Sequence, residues 1–212
     1  MKTLVLSTAI YLIFSFALAQ AQTETRKDSL SRAKAIQDSL RLESLFAKST
    51  FPYIKGSKRS GAIPVDDPEE VPDPNRRYKL LFDTDSRNPD SLSGELNRGL
   101  DAIARILNLH VASGIPAKNI VPVIIVSGGG IEAVMNNEAY RKRHSMDNPN
   151  IALLEELQKD GAKIIACGQA MARQGATKDE LLPGIRRTLS AMTVFSNYEL
   201  QGFVHYPIHS DR

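Results

Sequence analysis

The chain has 212 residues, 42% hydrophobic and 24% charged, enough for one sizeable buried core and too polar for a multi-span membrane protein. Its 27 basic and 24 acidic residues give a net charge of +3, or +2 without a leader carrying Lys2, so no basic excess points to a nucleic-acid partner. The single cysteine, Cys167, excludes an intrachain disulfide framework, a CxxC redox pair and every multi-cysteine zinc site.

Lys2 precedes an apolar run from Leu4 to Leu18, and Ala17-Leu18-Ala19 and Ala19-Gln20-Ala21 are small-x-small cleavage patterns. A secretory signal peptide is expected over residues 1–21, with a mature start at Gln20 or Gln22 and a periplasmic or secreted location. The run is shorter than the roughly 20 residues a spanning helix needs, so no stable membrane insertion is expected after cleavage. Residues 22–77 read as a polar tether followed by a proline-rich arm. Leu30, Ile36 and Leu40 stand at near-helical spacing in a mostly polar stretch that reads first as a solvated, partly helical tether and otherwise as a modest amphipathic helix, and residues 22–50 are expected to be mobile. Pro52, Pro64, Pro68, Pro72 and Pro74 exclude regular structure up to Asn75, while Phe51 to Val65 carries enough apolar residues to lie on the domain.

The periodic part spans residues 78–212. Tyr78 to Asp83 has the length and composition of a strand, and Leu96, Leu100, Ile103, Leu107 and Val111 predict a helix over 94–111 that ends before Gly114 and Pro116. Val121 to Val126 is apolar on both faces, as a central parallel strand must be when helices cover both sides. Short helical pieces are expected over 131–135 and 138–143, then a helix over 150–159. Ala162 to Cys167 is the third strand, with a short helix starting near Gln169. Ile185 to Leu189 is a weaker strand, Ser190 can cap a helix over 191–201, and Phe203 to Tyr206 is the last strand. Alternation of strands and helices predicts a three-layer α/β domain with a mainly parallel five-stranded sheet.

Sites in such sheets form at the carboxyl ends of the strands. Those ends carry Asp83 and Thr84, then Ser127, Gly128, Gly129 and Gly130, then Cys167, Gly168 and Gln169. A thiol between a strand end and a helix start sits among backbone N–H groups that favour the thiolate, yet free cysteine is also a common core residue, and position alone does not decide between these readings. The Ser-Gly-Gly-Gly turn resembles an anion cradle but matches no phosphate-binding fingerprint, and a tight strand-to-helix turn accounts for it first. Asp83 is either a site carboxylate or an acceptor within its own turn. Of the four histidines, His205 and His209 have metal-pair spacing, but Pro207 between them precludes an ordinary helix; no metal site, cofactor or hydrolytic triad is expected.

The succession Tyr78-Lys79-Leu80-Leu81-Phe82-Asp83, Val123-Ile124-Ile125-Val126-Ser127-Gly128, Ala166-Cys167-Gly168-Gln169-Ala170-Met171 and Leu182-Pro183-Gly184-Ile185 resembles the DsrE/DsrF-like family. The resemblance implies a flavodoxin-like subunit that assembles into trimers or hexamers. It also implies a sulfur relay in which Cys167 carries a persulfide between a small sulfur donor and an acceptor protein. Gly168, Gln169, Ser127, Gly128, Gly129 and Asp83 would line that site. The expected apolar contact surface lies on the helices after the second and fourth strands. The competing class is a non-catalytic exported module that binds a small ligand or a partner in the same crevice.

Overall fold

A computed structural model describes residues 27–208. The leader expected over 1–21 and His209 lie outside that range. Residues 27–46 form a helix, α1, exposed along most of its length, in a unit that ends at Ala47. Of the two readings of this stretch, the structure shows the helix, over 27–46. Neither Gly nor Pro interrupts 27–46, and Ala, Leu, Lys, Arg, Gln and Glu all favour the helical state. No helix among the described residues is long and apolar enough to cross a membrane.

The second unit, from Lys48, holds the sheet. Its strands are β1 (Tyr78–Thr84), β2 (Ile120–Val126), β3 (Lys163–Cys167), β4 (Arg186–Thr188) and β5 (Val204–Ile208). Their order is β4-β3-β2-β1-β5, and every neighbouring pair is parallel. Pro122 lies opposite Leu80 of β1, one residue before β3 begins to pair with β2 at Val123, so its missing N–H is confined to the start of the ladder.

The helices are α2 (Arg98–Ala112), α3 (Asn137–His144), α4 (Ile151–Lys159), α5 (Gly168–Arg173) and α6 (Ala191–Leu200). From β1 to β4 the chain steps in one direction across the sheet, and right-handed crossovers place α2 to α5 on one face. The step from β4 to β5 runs back past β1 and places α6 on the opposite face. Consistent with this, α2 and α6 both touch β1 and β5. Fully buried Leu80, Leu81, Phe82, Ile124 and Ile125 from the central strands meet Leu100, Ile103 and Leu107 of α2 in one core.

Helix α2 starts four residues later than its apolar periodicity predicts. The Asn97 side chain accepts from the N–H groups of Gly99 (3.0 Å) and Leu100 (3.2 Å), which fixes the helix start. The preceding carbonyls of Glu95 and Leu96 instead accept from Asn88 Nδ2.

The arm docks from Phe51 to Ala62. Asn108 of α2 is fully buried; its Oδ1 accepts from the N–H groups of Tyr53 (3.0 Å) and Ile54 (2.9 Å), and its Nδ2 donates to the carbonyls of Ile54 (2.7 Å) and Ser60 (2.9 Å). Asp101 accepts from Ser57 N–H and Oγ, and a two-way bridge between Thr50 and Ala62 closes the loop. Ile54 is wholly buried, but Val65 is 75% exposed, so docking stops short of the expected limit. The bridge is complete at Ala62, and Pro64 has no N–H with which to extend it.

An ion pair fastens the loop before β4. The Arg143 guanidinium, then the Thr177 N–H, hold the Glu180 carboxyl below the usual carboxylate range. A depressed folded-state pKa gives stability that is present above the unfolded value and lost as pH falls through the folded one. Glu180→Gln is therefore expected to lower stability by less than about 1 kcal/mol at neutral pH, for a partly exposed pair. The difference should vanish in acid, read as urea midpoints; a gap that persists there would contradict the assignment.

Candidate functional site

The strand order creates one topological switch point. The loop leaving β3 enters α5 on one face of the sheet, and the loop leaving the adjacent β4 enters α6 on the other, which opens a crevice between them. Its volume is about 330 Å³. Cys167, Gln169 and Arg173 line it from the β3–α5 side, Ser190 and Met192 from the α6 side, and Asp85, Ser127 and Gly128 from the turns after β1 and β2. Gln174 Nε2 donates to the Gly128 carbonyl and ties the end of α5 to the glycine turn.

Cys167 is the N-cap of α5 and 5% exposed. Its Sγ accepts from the N–H of Ala191 at 3.3 Å. Ala191 is the first residue of α6, whose N-cap Ser190 makes no side-chain capping bond. The expected cap by Ser190 is thus corrected: the sulfur takes one of the N–H groups that a helix start leaves unpaired. A sulfur bearing negative charge would sit at the start of two helices, where partial positive charge favours it.

Gly168 does not line the crevice. A Cβ there would come within 2.5 Å of the Thr188 carbonyl oxygen and 3.2 Å of that of Leu189. Glycine lets the end of β4 pass close enough for the next turn to bring Ala191 N–H to the sulfur. Ser127 N–H donates to the Thr84 carbonyl, and Gly128 has φ +46°, with Asp85 Cβ 3.0 Å from where its own Cβ would be. Gly129 does not line the crevice but a separate small cavity with Arg87 and Glu132, and a Cβ on it would lie 2.6 Å from Arg87 Cβ. The glycine run is thus a tight turn against the loop after β1, with Ser127 and Gly128 alone reaching the crevice.

Asp83 lies within β1, opposite Ile125 and Pro207, and does not line the crevice; Asp85, two residues on, does. Strand β1 runs one residue further than the sequence reading, and the first side chain of the following loop is the one that faces the site. Arg173, a full turn beyond Gln169, and Ser190 and Met192, more than 20 residues after the cysteine, also line the crevice, although nothing in the sequence places them at the end of the cysteine's strand. Of the histidines within the described range, His110 contacts the Ile106 carbonyl, His144 contacts Glu132 and His205 contacts Glu199. None lines the crevice.

Arg173 supplies a positive group and Asp85 a negative one to the same opening. Arg173→Gln is expected to slow alkylation of native Cys167 by negatively charged iodoacetate several-fold more than by neutral iodoacetamide. Equal slowing of both reagents would show that Arg173 exerts no field at the sulfur.

A small parallel α/β subunit with a buried cysteine at its switch point is the class that this geometry defines. The model of the DsrE/DsrF-like family matches residues 79–205, and the chain belongs to that family. A solved structure of a protein of unknown function, MTH1491 from Methanobacterium thermoautotrophicum, is similar over 61% of this chain and 98% of its own, at 18% identity and a TM-score of 0.46. No curated protein matches the chain.

Proposed function

We propose that the protein is an exported sulfur carrier of the DsrE type in which Cys167 holds a persulfide. The observation that carries this reading is the Ala191 N–H directed at Cys167 Sγ in the wall of the switch-point crevice. The Cys167 thiolate attacks the outer sulfur of a small persulfide, RSSH. The donor S–S bond breaks, a new one forms on Cys167, and RS⁻ leaves to take up a proton, so no external oxidant is needed. The terminal sulfur then occupies the crevice, and an acceptor thiolate removes it by the reverse exchange. Cys167 is only 5% exposed and recessed in the crevice wall, which limits mixed-disulfide formation in an oxidising compartment, while the outer sulfur of the persulfide projects further into the opening toward the acceptor.

Assembly into a trimer or hexamer belongs to the same reading. Met192 lines the crevice and is 72% exposed, and Leu200 on the same helix is also exposed, so a second copy over α6 would narrow the opening. The leader reading places the work in the periplasm or outside the cell, with N-terminal sequencing at Gln20 or Gln22 as its check.

The test is loading of the purified mature chain with glutathione persulfide, followed by persulfide-specific labelling. One labelled sulfur per chain is expected, and none in Cys167→Ser. A wild-type chain that takes up no label, with a thiol that alkylates only after unfolding, would leave Cys167 as core packing and favour the ligand-binding module.

A further inference from the structure

At the edge of the sheet, β4 pairs with β3 on one side only. Lys178, Ile185, Arg186 and Arg187 line a depression of about 400 Å³ along it. The three cationic side chains are exposed and form no ion pair among the described residues, whereas Arg141, Lys142 and Arg143 are matched by Asp147, Glu138 and Glu180. Exposed arginines on an edge strand also keep it from pairing blindly with other strands, so any occupant has to bring compensating charge.

The same chain carries such a segment. Asp66, Asp67, Glu69 and Glu70 place four carboxylates within five residues, all exposed and none in an ion pair among the described residues, and no basic residue lies between Arg59 and Arg76. Pro64, Pro68, Pro72 and Pro74 keep the segment out of helix and sheet. Its two ends are fixed: Ala62 bridges Thr50, while the carbonyls of Asp73 and Pro74 accept from Tyr78 Oη (2.9 Å) and Asn119 Nδ2 (2.8 Å). Those anchors hold it by the amino ends of β1 and β2. Strand β4 is two strands from β2 and three from β1, and among the described residues no ion pair joins the acidic segment to the basic edge within one chain. Apolar side chains are left in water on both surfaces as well, Val65 and Val71 on the arm and Leu189 (76% exposed) just past β4.

We propose that the acidic arm of one copy, residues 66–73, docks on the β4 edge of a second copy, its carboxylates against Lys178, Arg186 and Arg187. The prolines preclude a continuous strand ladder, so charge pairing and the Val–Leu contact carry the interface. The two surfaces differ, so the contact is head-to-tail and repeats from copy to copy until a ring closes. It is separate from the α6 face and does not depend on chemistry at Cys167. It does bear on the strand whose end positions Ala191 N–H, so a docked arm braces the neighbour's sulfur site.

The test uses the full mature chain and two charge reversals at exposed positions, one on the arm (Asp66→Lys, Asp67→Lys, Glu69→Lys, Glu70→Lys) and one on the edge (Arg186→Glu, Arg187→Glu). Mass by light scattering is read across protein concentration at low and high salt. Each reversal alone should raise the concentration for half-assembly at least tenfold, as should high salt for the wild-type chain. One chain carrying both reversals should restore assembly, since every copy then offers a basic arm to an acidic edge. Circular dichroism melts confirm folding, with Arg186→Gln and Arg187→Gln as a milder edge variant. Assembly indifferent to the reversals would overturn this contact while leaving an oligomer built on α6. Weakening without rescue, or a wild-type monomer throughout, would overturn it too.

Discussion

Asn108→Ala is expected to lower the stability of the domain by about 3–5 kcal/mol and to release the arm. Asn108 is fully buried and satisfies four backbone groups of the loop 53–60. Without it those groups either stay buried and unpaired, at about 1–3 kcal/mol each, or leave the domain for water. Leaving also exposes Ile54, whose burial contributes roughly 2–3 kcal/mol, so release limits the loss without removing it. Urea denaturation should report the lower midpoint, and limited proteolysis should cut between Phe51 and Ala62 in the variant alone. An arm that stays protected with a drop below about 1 kcal/mol would contradict this role.

Gly168→Ala is expected to uncouple the sulfur from α6. A methyl group 2.5 Å from the Thr188 carbonyl oxygen meets backbone that cannot rotate away, so the turn from β4 into α6 must move. Overpacking of this kind costs about 1–3 kcal/mol. Ala191 N–H travels with that turn and would lose its 3.3 Å contact with Cys167 Sγ. Persulfide loading should fall at least tenfold, while Gly175→Ala, at a glycine with no atom near its added Cβ, should leave loading unchanged despite its positive φ. Normal loading in Gly168→Ala would show that the α6 contact does not support the sulfur.

The strands were legible because burial on both faces leaves a mark that needs no knowledge of neighbours: Val123 to Val126 and Ile164 to Cys167 are apolar at every position and buried in the sheet. The placement of Cys167 at a strand end followed from the same runs. Helix starts were less legible, because apolar spacing continues through Leu96 although the backbone turns helical only after the Asn97 side chain has capped it. The strand order was not legible at all. It arises from pairings between distant segments, and it decides that the β3 and β4 loops part to opposite faces and that Ser190, Ala191 and Met192 reach the cysteine. Gly168 illustrates the same limit: the motif marked it as a site residue, while the reason for glycine there is a carbonyl 20 residues later. Asp85 was not legible because the apolar run stops at Phe82, whereas pairing with β2 and β5 carries β1 on to Thr84.

Whether Cys167 carries sulfur is read from the intact mass of the protein isolated from its native source under non-reducing conditions, before and after cyanide treatment. A population heavier by one sulfur atom is expected, returned by cyanide to the unmodified mass and traced by peptide mapping to Cys167. A chain found only as the free thiol, and unable to gain that sulfur from a persulfide donor while folded, would contradict it.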